Sequence, residues 1–236
     1  MKTLGAGCSV SSGTVNVTVS ANPIATISST SGNVICDGTS SDLTAPIGMS
    51  SYEWYQGGTQ IVGANNNTLS VSLAGNYQVK VTNSNGCSTL SSVYGMTVNP
   101  VPTGSISNAS SLEFCEGDSV VLSGPTGMIY AWSTGETSSS ITVSNTATIG
   151  LTLTNTDGCS ATLTAVDAIE NQVPSLTVSN SSALQFCFGG SVNLQASGGF
   201  ASYAWSNGSS NQNIIETTAG NYTVTDTTSD GCRNTS

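Results

Sequence analysis

The cysteines of this chain recur with a period, and that period constrains the fold more than any other feature. Cys36, Cys115 and Cys187 are separated by 79 and 72 residues, and Cys87, Cys159 and Cys232 by 72 and 73. Other positions keep the same phase. Pro23, Pro102 and Pro174 lie 13 residues before the first cysteine of each copy, Gly38, Gly117 and Gly189 lie two after it, and Leu43, Leu122 and Leu194 seven after it. A Tyr-x-Trp follows in every copy (Tyr52/Trp54, Tyr130/Trp132, Tyr203/Trp205), and each copy closes on Gly-Cys at Gly86-Cys87, Gly158-Cys159 and Gly231-Cys232. A repeat of 70 to 80 residues has the size of a whole sandwich domain and exceeds a solenoid unit.

Within a repeat the apolar residues alternate with Ser, Thr and Asn, as in Val15-Asn16-Val17-Thr18-Val19, Tyr77-Gln78-Val79-Lys80-Val81 and Leu151-Thr152-Leu153-Thr154. Period-two alternation buries one face of a strand, and no helical period competes with it. The expected fold is all-β, a tandem array of immunoglobulin-like β-sandwiches. Ser119-Val120-Val121-Leu122 and Ser191-Val192-Asn193-Leu194 read as B strands, and Tyr-x-Trp as a C strand whose indole fills the core, placing Trp54, Trp132 and Trp205 there. Gly75-Asn76-Tyr77 and Gly220-Asn221-Tyr222 open F strands, with Tyr77 and Tyr222 as core residues in tyrosine corners. The second repeat has Ile149 at that position and so lacks a corner. Asn85-Gly86, Asp157-Gly158 and Asp230-Gly231 read as F–G hairpin turns, where positive φ favours Asn, Asp and Gly.

The expected organisation is a trailing G strand of a preceding repeat in residues 1–21, repeats at 22–100 and 101–173, and a third repeat at 174–236 lacking its last strand. The first repeat carries six extra residues between Trp54 and Leu69, read as a longer hairpin on the C-strand edge. The cut is out of phase: a strand without its domain at one end, a domain without its strand at the other. The chain is then a slice of a longer array, or a subunit whose N-terminal strand completes the last domain of a neighbour.

Seven cysteines and the absence of two-residue Cys spacings favour disulfides over zinc. Counting pairs Cys36 with Cys87, Cys115 with Cys159 and Cys187 with Cys232. Geometry opposes this, because the first cysteine lies at the bottom of a sandwich and the second at the top. A strand of six to eight residues spans roughly 20–27 Å, whereas a disulfide needs Cα atoms within about 7 Å. Between successive domains the pairs become Cys36 with Cys159 and Cys115 with Cys232, leaving Cys8, Cys87 and Cys187 to partners outside the chain. Both schemes stand at this point.

Composition removes several functions. The chain has no His, three Lys and Arg against 13 Asp and Glu, and a formal charge of −10. A histidine relay has no base, and a nucleic-acid backbone has too few cations to meet. No apolar run spans a bilayer, so membrane insertion is not expected. No acid cluster has calcium-loop spacing and no carboxylate pair recurs, so neither metal, cofactor nor catalysis is expected. The scarcity of charge and the cysteine content point to an extracellular location.

The pattern Cys-x-Gly-x-Ser-Val-x-Leu, then Tyr-x-Trp-Ser-x-Gly at residues 130–135 and 203–208, then Gly-x-Tyr-x-Val and Gly-Cys resembles the PKD-like and Ig-like repeats of Bacteroidota surface proteins, including SprB-type gliding-motility adhesins. The first repeat departs from it at Trp-Ser-x-Gly and the second at Gly-x-Tyr. The resemblance implies cell-surface display after type IX secretion and a role in adhesion or filament building. The implied partners are flanking repeats of the same polypeptide, head-to-tail neighbours and surface glycans. It also makes Asp118-Ser119-Val120 and Asp226-Thr227-Thr228 resemble the short O-glycosylation motif of that phylum. The rival from another class is a carbohydrate-binding or spacer module of an exported polysaccharide-degrading enzyme.

Overall fold

A computed structural model describes residues 13–181 and 183–236. All regular structure among them is β. The chain divides into two compact units, Met1–Pro100 and Val101–Ser236. The first holds one module and the second holds two, so the expected boundary between residues 173 and 174 falls inside a compact unit.

Module 1 is a two-sheet sandwich. One sheet orders β1 (Ser28–Ser29), β3 (Ser41–Thr44) and β6 (Thr68–Val71) side by side. The other runs β2 (Val34–Cys36), β9 (Tyr94–Asn99), β7 (Gly75–Thr82), β4 (Ser51–Gln56) and β5 (Thr59–Gln60), with β8 (Ser88–Leu90) also on β7. The alternation read from the sequence faces inward: Leu43, Trp54, Val71, Tyr77, Val79, Val81 and Met96 form one buried cluster. The extra residues after Trp54 include the β4–β5 hairpin, whose turn residues Gly57 and Gly58 have φ of 56° and 81°. Two consecutive left-handed residues define the tight hairpin turn that glycine adopts without strain.

Module 2 repeats this plan with β10 (Ser107–Asn108), β12 (Val120–Ser123) and β14 (Ser140–Val143) in one sheet. The opposite layer is split. β13 (Ile129–Trp132), β16 (Leu151–Thr154) and β17 (Ser160–Thr162) form one part, and β11 (Glu113–Cys115), β18 (Val166–Asn171) and β15 (Ala147–Ile149) the other. The break falls at Gly150, whose N–H bonds to Ser133 Oγ at 3.0 Å. In both modules the G strand is thus two segments: the first pairs with F, and the second lies between the first-cysteine strand and the start of F.

Module 3 has β19 (Val178–Asn180), β20 (Val192–Ala196) and β22 (Asn213–Glu216) in one sheet, and β21 (Ser202–Trp205), β23 (Val224–Thr227) and β24 (Arg233–Thr235) in the other. The expectation that its last strand is missing needs correction. The first half of G is present as β24, and only the counterpart of β9 and β18 has no place in it. Without that strand, residues 185–187 and 220–222 lie outside any ladder, whereas their counterparts form β2 and β11 on one side and the start of β7 and β15 on the other. Gly220-Asn221-Tyr222 therefore does not open a strand here.

The segment read as a trailing G strand is not in a strand over residues 13–21, and Cys8 lies outside the described residues. The F–G hairpin turns fall at the expected dipeptides. Positive φ falls on Gly86, Gly158 and Gly231 only, not on Asn85, Asp157 or Asp230. The loops are three-residue turns closed by a left-handed glycine. The preceding polar residue holds each one: Asn83 Oδ1 accepts from the N–H of Asn85 and Cys87, Asn155 Oδ1 from Asp157 and Cys159, and Thr228 Oγ1 from Cys232.

Candidate functional site

The recurring aromatic residues are structural anchors. Trp54, Trp132 and Trp205 are buried, and each indole N–H donates to a carbonyl in the following loop: Asn66 at 2.9 Å, Ser138 at 2.9 Å and Asn211 at 2.8 Å. A buried indole needs such a partner, so one side chain both fills the core and fixes the loop. The tyrosine two positions earlier works from the other side. Tyr52, Tyr130 and Tyr203 donate to the carbonyls of Pro46, Pro125 and Ser197 at 2.9, 2.8 and 3.2 Å. Sequence reading treated this tyrosine only as a phase marker; its fixed spacing from Trp was the signal of a role. Tyr77 and Tyr222 make corner hydrogen bonds to Leu73 O and Thr218 O at 2.9 and 3.0 Å. Tyr77 is buried, but Tyr222, expected in the core, is only half-buried, because no strand covers it.

The junction of modules 2 and 3 is covalent. Cys115, at the end of β11, is bonded to Cys232, just before β24, with Cα atoms 5.5 Å apart. The within-repeat scheme is excluded for these residues: Cys115 does not meet Cys159, and Cys187 does not meet Cys232. Cys36 and Cys159 are each in a disulfide, whereas Cys87 is a half-buried free thiol and Cys187 an exposed one. Around the Cys115–Cys232 bond, Asn234 Nδ2 donates to Pro174 O at 3.1 Å and the Val173 N–H to Glu116 Oε2 at 3.5 Å. These bonds hold the linker from β18 against module 3. The bond closes a sequence separation of 117 residues, for which the chain-entropy argument gives about 4–5 kcal/mol.

Module 3 carries a groove of about 830 Å3 with residues 185–187 on one wall and residues 220–222 on the other. Val178, Phe186, Val192, Leu194, Ala219 and Tyr222 supply its lining. It is the slot that β9 and β18 occupy in modules 1 and 2. Phe186 is half-buried there, while its counterparts Ile35 and Phe114 are buried.

Two carboxylates differ in environment. Glu53 accepts from Tyr55 Oη at 2.8 Å and pairs with Lys80 at 3.2 Å. These contacts, the tyrosine first, lower its pKa. Asp226 is fully buried in β23 at the position of Val81 and Leu153, and neither oxygen has a hydrogen-bond partner in the protein. Burial raises its pKa. This bears on the second glycosylation-like triplet, where Asp226 and Thr228 are buried and Thr227 is in a strand, whereas Ser119 of the first is exposed. Among the described residues, no three of Cys, Asp and Glu are grouped to hold a metal ion, and no helix is long and apolar enough to cross a membrane.

No family model and no curated protein matches the chain. Among solved structures it is similar to the fibronectin(III)-like modules of Clostridium thermocellum CbhA (15% identity over 62% of this chain and 95% of that one, TM-score 0.36). It is also similar to murine CEACAM1b (13% identity, 64% and 100% covered, TM-score 0.32). A third is the Bacteroides ovatus mixed-linkage glucan utilization locus SGBP-B in complex with mixed-linkage heptasaccharide (15% identity, 91% and 67% covered, TM-score 0.27). No function follows from likeness at this level. The strand order itself defines the class, a protein of tandem immunoglobulin-like β-sandwich modules. Its disulfides are those of a secreted or extracellular protein.

Proposed function

We propose that this chain is a non-catalytic structural segment of a large secreted adhesin, a stalk or filament that holds a distal tip away from the cell surface. The observation that carries this reading is the Cys115–Cys232 bond, which joins one module to the next rather than stapling a module to itself. A covalent link across a linker transmits load and removes the linker's freedom to extend. The repeated core anchors support the same role, since side chains recurring at one phase of each module stabilise sandwiches rather than compose a site. The motif resemblance supports export by type IX secretion, cell-surface display and a part in gliding or adhesion. The partners under this reading are flanking modules of the same polypeptide or head-to-tail neighbours.

The test is single-molecule extension of the 236-residue chain together with a glycan array. Under oxidising conditions the length released when module 3 unfolds is shortened by the cross-link, and reduction restores it, with no glycan retained. Specific glycan binding by the chain, with the same extension before and after reduction, would instead favour a carbohydrate-binding module.

A further inference from the structure

We infer that Asn85, in the F–G turn of module 1, is a site of spontaneous covalent modification. Its carboxamide is lost through a succinimide formed with Gly86, leaving aspartate and isoaspartate at position 85.

The chemistry needs a side-chain amide followed by a residue whose nitrogen can reach it. Two dipeptides in the chain supply this, Asn85-Gly86 and Asn207-Gly208, since a following glycine has no Cβ to obstruct the approach. The Gly86 nitrogen, once its proton has passed to water, attacks Asn85 Cγ. The N–Cγ bond forms, the Cγ–Nδ2 bond breaks, and Nδ2 takes a proton from water and leaves as ammonia. Water then opens the imide ring. Cleavage of the N–Cγ bond gives aspartate; cleavage between that nitrogen and the main-chain carbonyl carbon gives isoaspartate, with the chain routed through the former side chain. Water is the sole co-reactant, and nothing is oxidised or reduced.

The two dipeptides occupy the same kind of turn. Gly86 and Gly208 have φ of 78° and 88°, and their N–H groups donate to Asn83 O at 3.0 Å and Trp205 O at 2.9 Å. Each turn must open before its nitrogen can attack, so the backbone does not separate them. The side chains do. Asn207 is held at both ends of its carboxamide: Oδ1 accepts from the Ser209 N–H at 2.9 Å, and Nδ2 donates to Glu216 Oε1. Asn85 is exposed and bonded through its backbone N–H, to Asn83 Oδ1 at 3.0 Å, while its carboxamide has no partner among the described residues. Once the turn opens, the Asn85 side chain is free to swing onto the Gly86 nitrogen, whereas Asn207 must first give up two hydrogen bonds, one of them to a carboxylate.

The sister modules show what this turn accepts. The counterparts Asp157 and Asp230 are both exposed, Asp230 even though another module precedes its own. Gly158 and Gly231 keep φ of 81° and 87°, so an ordinary aspartate fits the turn unchanged. An isoaspartate does not. It adds a backbone carbon between Asn83 and Cys87, which close the loop through Asn83 N–H to Cys87 O at 2.9 Å and Cys87 N–H to Asn83 Oδ1 at 3.0 Å.

The test incubates the folded 236-residue chain at physiological temperature and mildly alkaline pH, followed by peptide mapping with mass spectrometry. Asn85 is expected to convert about tenfold faster than Asn207, with isoaspartate, identified by fragmentation, among its products. In guanidinium chloride, where turns and tethers are gone, the two sites are expected to convert at one rate. Glu216→Ala is expected to speed conversion of Asn207 in the folded chain and to leave that of Asn85 unchanged. Equal rates in the folded chain, the same bias after unfolding, aspartate without isoaspartate, or an Asn207 indifferent to Glu216→Ala each overturns the proposal. None of these results touches the stalk reading, which fails on the extension and glycan measurements.

Discussion

Modules 2 and 3 share one pattern of anchors and end up in different states of completion. In module 2, β18 lies between β11 and β15, burying Phe114 and Ile149. In module 3 no strand occupies that position, and the counterparts Phe186 and Tyr222 are half-buried beside a groove. The comparison teaches that the first-cysteine strand and the start of F are not autonomous. They become strands only when the second half of G supplies ladder bonds on both flanks, whereas B, C, E and the rest of F form without it around Trp205.

The largest expected effect breaks the part the modules have in common. Trp132→Ala and Trp205→Ala each remove the core indole and its loop hydrogen bond, at about 3–5 kcal/mol. Module 3, with the smaller buried cluster, is expected to unfold first in a denaturant titration followed by the remaining tryptophans. Next comes the link between them. Reduction, or Cys115→Ser, is expected to cost up to about 4–5 kcal/mol and to make the two modules melt separately by calorimetry.

Asp226 sharpens the contrast further. Its raised pKa means that the fold favours the protonated form. Its contribution is therefore most favourable below the ordinary aspartate range and is lost as pH rises through the raised value. Asp226→Leu, the residue of module 2 at that position, is expected to stabilise module 3 at neutral pH by about 1–3 kcal/mol, with the gain shrinking in acid. Glu53 in module 1 has the opposite sign. Its pKa is lowered, chiefly by Tyr55, so its contribution is present above the ordinary glutamate range and lost as pH falls through the lowered value. Melting curves against pH for the wild type and the two variants Asp226→Leu and Glu53→Gln separate these slopes.

The smallest effect concerns the corner. Tyr77→Phe is expected to cost about 1 kcal/mol through loss of the bond to Leu73 O. In module 2, Ile149→Tyr is expected to bring no such gain, because Ile149 is already buried and a larger ring overpacks the site. Chemical denaturation of the single variants checks both.

Period-two alternation and the phase of Trp and Cys were legible because burial of one strand face and of a large indole is written locally. The Trp–carbonyl bonds and those of Tyr52, Tyr130 and Tyr203 were not, since a backbone acceptor carries no residue signature. The F–G turns were legible at Asn-Gly and Asp-Gly, whereas the Asn83 and Asn155 side chains that accept from the turn N–H groups sit outside the dipeptide. That the third repeat lacks a last strand was legible in the phase of the repeats, but the groove between residues 185–187 and 220–222 was not, because its walls come together only once they are placed in space.

The sequence by itself determined the sandwich class, the number of modules and the aromatic anchors, because these follow from alternation and from side chains too large and apolar to leave in water. Tertiary structure alone decided how each G strand divides between its neighbours and which cysteines touch. Disulfide pairing depends on distances between strand ends, here 5.5 Å between the Cα atoms of Cys115 and Cys232, and no local pattern along a chain encodes the separation of residues 117 positions apart.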